Sequence, residues 1–262
     1  MSKRYIQLIM VFLRASLSVQ LEYRANFIIS IISAAMASAS ALFGLFLLSG
    51  DGTPIGGWSY AEATIVVGVY TIVQGFIGAV LAPNLPQIAE AVRLGTMDFT
   101  LLKPIDAQFM VSARNINVFR SIDILAGLII VAIAGVQIGG FQILNILIAS
   151  IMLVCALLIV YAIWFMLTTT AFWFVKVANI TELFNGFFRA GQFPVAAFPG
   201  WVRSFFTIIM PIAFITTVPS EALTNRLTLS SALTTIAVTI VLLVVSRLIW
   251  KRAVGSYTSA SS

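Results

Sequence analysis

The chain has 262 residues, of which 60% are hydrophobic and only 9% charged, with a net charge of +6 and a mean hydropathy of +1.06. A soluble domain carries about 25% charged residues to face water, so these proportions exclude a water-soluble globule and make lipid the solvent over most of the surface. The basic excess then belongs to loops held at an anionic membrane face rather than to nucleic-acid binding; with no histidine and one cysteine, Cys155, imidazole relays, histidine-ligated metals and disulfides are excluded too.

Residues 1–24 set Lys3, Gln7, Arg14, Ser18 and Glu22 at helical spacing, with Tyr5, Ile6, Ile9, Phe12, Leu13 and Leu17 around the rest of the wheel. That pattern predicts an amphipathic helix lying along the membrane interface, either a plain anchor or a docking element. A crossing helix needs about 20 mostly apolar residues, and the gaps between charges supply them. Span one is expected over 26–49 and span two over 61–82. Rows of small residues in span one (Ser30, Ala34 and Ser38; Ser33, Ala37 and Ala41) suit close helix packing. Gly75 and Ala79 do the same in span two, beside Gln74. The uncharged run from Ile124 to Val175 is too long for one crossing. Gln137, Ile138, Gly139 and Gly140 break it into spans three (118–136) and four (142–174). A fifth span is expected over 177–197 and a sixth over 227–249. Between them Pro194, Pro199, Pro211 and Pro219 forbid one straight helix, so 194–221 is expected to form a re-entrant or interfacial hairpin. The fold class is therefore an all-α membrane protein of six transmembrane helices. Most basic residues fall on one side of these spans and only Arg203 and Arg226 on the other, which predicts both termini in the cytoplasm.

Two segments stand out as sites. The connector 84–109 exceeds the usual loop length. Pro86 can open a short helix in it and Gly95 can close it, with Arg93 where the helix dipole favours a cation. Ile88, Val92 and Leu94 alternate with Glu90 and Arg93, and Asp98 and Lys103 flank an apolar stretch; the segment is either a grip for another protein or a solvated connector. In span five, Glu182, Asn185, Arg189 and Gln192 have offsets that put all four on one helix face. Charge at that depth costs several kcal/mol without a partner or a wet cavity. The stripe, with Gln74 as a weaker companion, either lines or gates a route or locks against a neighbouring helix.

The string from Arg93 through Gly95, Asp98, Leu101 and Leu102 to Lys103-Pro104 resembles the cytoplasmic loop of ABC exporter permeases of the ABC-2 class, in the branch with one six-span permease domain per chain. Tyr23-Arg24, the stretch Phe198-Pro199 to Pro211, Phe214 and Pro219, and the closing Tyr257, Ser259 and Ala260 match as well, with Thr258 where the pattern has serine. The resemblance covers nearly the whole chain. It implies a permease subunit of a bacterial inner-membrane exporter, paired with a second permease, identical or sister. Two ABC ATPase subunits holding ATP and magnesium would dock on a coupling helix formed by Pro86, Ile88, Glu90, Arg93, Gly95, Asp98 and Lys103. No lysine follows a glycine, so the chain lacks the Gly-Lys pair of a phosphate-binding loop and the ATPase must be a separate polypeptide. The rival readings are an ion-gradient-driven secondary transporter, for which no internal repeat is visible, and a non-transporting scaffold.

Overall fold

The computed structural model describes residues 2–22, 24–50, 53–174 and 184–257, and these are helical with no strand. Helix α1 (Ser2–Leu21) precedes α2 (Arg24–Ser49) and α3 (Tyr60–Phe76), which runs on through a π-helical turn, Ile77–Leu81. The connector holds α4 (Pro86–Arg93), α5 (Asp98–Leu101) and α6 (Ala107–Ala113). A short turn joins α7 (Ser121–Gln137) to α8 (Ile143–Thr169) and places Gly139 and Gly140 at φ of +91° and +92°, where a side chain would be strained; beyond the turn the two helices part, α7 packing on α3 and α8 on the last long helix. A last long helix, α9 (Leu229–Ser256), closes the bundle.

Five helices are long and apolar enough to cross a membrane. A further apolar element is the pair Gly200–Ile209 and Ala213–Leu223, which meet at an 82° bend. Pro211 stands at the bend, and π-helical turns flank it at Phe205–Ile209 and Ala213–Thr217. Both outer ends of this pair lie at the same end of the bundle. Arg203 donates to the carbonyl of Ala196, whose backbone abuts Gly56 in the α2–α3 loop, while Arg226 pairs with Glu62 at the start of α3. The segment therefore enters and leaves on one side.

The expected fifth span differs from one straight helix. Its residues up to 183 lie outside the described part. Residues 184–188 are helical, and Arg189–Gln192 then tighten into a 3-10 turn. Pro194 cannot continue an α-helical ladder, and Gly191 is pressed against the bend, where an added Cβ would sit 2.9 Å from Ile212 Cγ2. Helix α9 also outruns its expected end at 249, because a helix continues into water where an apolar run must stop.

Helix α3 is the axis of the bundle: 61% of its most apolar window is buried, against 17% for α2 and for α9. Lipid supplies no hydrophobic drive between helices, so close backbone approach must do the packing. Gly68 and Gly127 provide it. A Cβ on Gly127 would lie 2.6 Å from the Gly68 carbonyl oxygen and 2.7 Å from the Ile72 nitrogen. Seven residues along the same face, a Cβ on Gly75 would meet the Ile124 nitrogen at 2.7 Å. Polar side chains within the helices satisfy themselves on the preceding turn: Thr71 donates to the Val67 carbonyl at 2.8 Å and Thr239 to that of Thr235 at 2.7 Å.

Gly127→Ala should therefore force α3 and α7 apart and destabilise the detergent-solubilised chain by the ~1–3 kcal/mol typical of overpacking, read as a lower melting temperature. Gly44→Ala, whose Cβ would meet nothing within 4 Å, should leave it unchanged; equal melting of the two variants would rule out the crossing as the stabilising contact.

Candidate functional site

A cavity of about 620 Å³ opens between α2, α3, the start of α7 and the 185–192 segment. Asn185, Arg189, Gln192 and Gln74 all line it; Glu182 lies outside the described residues. The change of helix type keeps the stripe together. Asn185 and Arg189 are one α-helical turn apart, and Arg189 and Gln192 are one 3-10 turn apart, so all three face one way. Tyr70, ten residues into α3, marks the depth of Arg189, because its ring packs against that of the adjoining Phe188, centroids 5.4 Å apart. At 1.5 Å per residue that is about 15 Å from the start of the helix, half the thickness of a bilayer core.

From there the cavity runs towards the α1 end, past Gly78 and Ala82, to Arg120 and Asp123. These two form an ion pair at 3.3 Å. The Tyr70 hydroxyl accepts from Gln74 Nε2 at 2.8 Å. Arg189 is exposed to the cavity and makes no hydrogen bond or ion pair among the described residues. Ala34, Ala37, Ser38 and Ala41 of α2 form the opposite wall. The small-residue rows thus do two things: Ala34 and Ala41 are buried in helix packing, and the same stripe leaves room for the cavity.

The connector is tied to the bundle by polar contacts that its sequence does not announce. Asn84 is buried; its amide donates to the carbonyls of Val80 and Asn115 and accepts from the Asn115 N–H at 2.8 Å. Helix α1 docks on the next residues: Ser16 accepts from the Ile116 N–H at 3.1 Å, and Gln20 both donates to the Ile116 carbonyl and accepts from the Val118 N–H. Pro86 occupies the first turn of α4, and Gly95, at φ +68°, ends it. The N–H of Thr96 returns to Ala91 O at 2.9 Å and that of Gly95 to Val92 O at 3.2 Å, the paired bonds of a Schellman cap. Ile88 is the buried contact of α4, 1% exposed, whereas Glu90 and Arg93 pair with each other on the outward face. Asp98 opens α5, and Lys103 is exposed beyond it, as are Leu94, Phe99 and Leu102.

At the far end of the connector, Arg247 of α9 donates to both carboxylate oxygens of Asp106 and to Gln108 Oε1. Gln108 Nε2 reaches the Tyr161 hydroxyl on α8, which also meets Ser112 Oγ at 3.0 Å. Sequence spacing could not join residues more than a hundred positions apart. At the opposite end of the bundle, Arg226 forms a two-bond pair with Glu62, itself the partner of Ser59 in a capping box, and lies over the Trp58 ring.

The chain belongs to the ABC-2 family of transporters: the family described as "ABC-2 family transporter protein" matches residues 9–261. It is accordingly a multi-pass membrane permease of an ABC transporter, the membrane component rather than the catalytic one, and membership of this family implies partnership with an ABC ATPase. No curated protein and no solved structure matches the chain.

Burial pushes the Asp106 carboxyl up, but Arg247 and the N–H groups of Phe109 and Gln108 outweigh it and hold the group below the ordinary carboxylate range. A depressed folded value means that the tie stabilises at neutral pH and is lost as pH falls through that value. Asp106→Asn should therefore melt below the wild type at pH 7, with the gap closing under acid conditions below about pH 4. A gap that stays constant down the acid limb would contradict this.

Proposed function

We propose that the chain is the transmembrane subunit of an ATP-driven exporter, working as a dimer with an identical or sister permease. The cavity behind Arg189 is the inward-facing half of the route, and the sparsely buried α2, through the exposed face that carries Phe43, Phe46 and Leu47, forms the seam between the two permeases. Two separate ATPase subunits hold ATP and magnesium and dock on α4, with Asp98 and Lys103 at the margin of the contact. The α1 end faces the cytoplasm of a bacterial inner membrane, since Arg93, Lys103, Arg114, Arg120, Arg247, Lys251 and Arg252 gather there, against Arg203 and Arg226 at the other end.

The observation that carries this reading is the seating of α4. One side is fixed to the bundle through Ile88, against the end of α8 and the turn Thr170–Phe172. The other presents a charged pair and is ringed by exposed Leu94, Phe99 and Leu102. A helix so mounted passes a push from outside to α8, and α8 contributes Trp164 to the cavity. Movement of α4 is thereby movement of the cavity wall.

Co-expressed with the products of its neighbouring genes, the chain should co-purify with an ABC ATPase and stimulate its hydrolysis. Arg93→Glu should cut the stimulated rate by about tenfold, the loss of one well-placed interface contact, while Arg203→Glu at the opposite end should not. Recovery of no ATPase, or a stimulated rate indifferent to Arg93→Glu, would overturn the reading.

A further inference from the structure

We infer that the cavity binds an anionic amphiphile, with Arg189 as the headgroup ligand and the tail running along the small-residue face of α2. This rests on taking the cavity as part of the route, and it adds the chemical class of what enters. Three observations converge on it. The first is charge: of the three ionised side chains lining the cavity among the described residues, Arg120 and Asp123 neutralise each other, leaving Arg189 as an unpaired cation at mid-depth. A cation at that depth without a counter-ion is costly even when it faces a cavity, and a cationic or neutral ligand leaves that cost in place, whereas an anion removes it.

The second is the polarity of the remaining groups. Asn185, Gln192 and Gln74 put amide donors on the same wall, and Trp164 lines the cavity with its side chain only 3% exposed and its indole N–H without a partner among the described residues. A buried donor left unpaired is expensive and calls for an acceptor. Arginine with flanking amide and indole donors matches a carboxylate or phosphate headgroup. The third is the wall. Ala34, Ala37 and Ala41, with Ser38 and Ser40 among them, give a wall of small side chains with room for a chain beside that headgroup, and α2 continues through exposed Ile28, Ile32 and Met36 towards lipid.

The test uses the purified full chain in detergent, without any ATPase, and Trp164 as the reporter. Brominated stearate should quench a saturable part of the tryptophan fluorescence, and Trp164→Phe should remove that part. Brominated stearamide, with the same tail and no charge, should bind at least about tenfold more weakly, as should stearate to Arg189→Gln, because each loses a charge-assisted contact. Arg189→Lys should retain most of the affinity. Excess inorganic phosphate should fail to displace the stearate. Equal quenching by stearate and stearamide in the unmodified chain would overturn the inference without recourse to any variant, as would quenching that survives Trp164→Phe or displacement by phosphate alone. Saturable, charge-selective binding with no ATP-driven movement of the amphiphile would sustain the inference and count against the exporter reading instead.

Discussion

The contact between Gly68 and Gly127 sets the positions of the elements around the cavity. Two backbones that touch without side chains between them fix both the distance and the register of α3 and α7. With that register set, Gly75 receives Ile124, and Gly78 lies against the aliphatic stem of Arg120, its Cγ 3.1 Å from where a Cβ would be. Arg120 and Asp123 are thereby held at the mouth of the cavity instead of turning to solvent. Helix α3 becomes the axis on which α2, α7 and the bent segment all lean, and a bundle with little hydrophobic drive of its own acquires one arrangement.

The connector shows how a long loop between crossing helices can be rigid. Asn84 ties its two ends together, Gln20 and Ser16 lay α1 over it, and Arg247 clamps its middle to α9. Each link pairs a side chain with backbone or with an opposite charge, so little of the polar backbone is left for water to compete over. What remains outward is α4. A rigid mount beneath a free charged face is the arrangement expected of an element that transmits force, and it supports the docking role proposed for it.

Much of this architecture was legible in the residues. The charge-free stretch from Ala25 to Gly50 became α2 because a single helix must carry every backbone bond through lipid. Pro86 and Gly95 mark the ends of α4 because one lacks an N–H and the other tolerates positive φ. The grouping of Asn185, Arg189 and Gln192 followed from periodicity, although the helix beneath them changes pitch, because an α turn and a 3-10 turn happen to place these offsets alike. Long-range pairings were not legible. Gly68 and Gly127 read as ordinary helix glycines until the facing helix is known. Asn84 and Asp106 read as polar residues of the connector and Gln20 as one more residue of an interfacial helix, since the backbone groups and the guanidinium that they meet come from distant positions. That Arg189 has no ion-pair partner among the described residues likewise depends on which charges fold near it and which do not.

The bend at Pro211 has an electrical consequence. The arm Ala213–Leu223 is 11 residues long, about 16 Å at 1.5 Å per residue, half of a hydrocarbon core of about 30 Å. The cavity opens the other half from the α1 end as far as Arg189, and Gly191 rests on the tip of the bend. Solvent in the cavity would short-circuit its half of the membrane, so the transmembrane voltage would fall mainly across the thin septum between Arg189 and the far face. With the α1 end inside, as proposed, the resting polarity would draw an anion outward across that septum, by about 2.3 kcal/mol per charge for each 100 mV, and the membrane itself would help to empty the site.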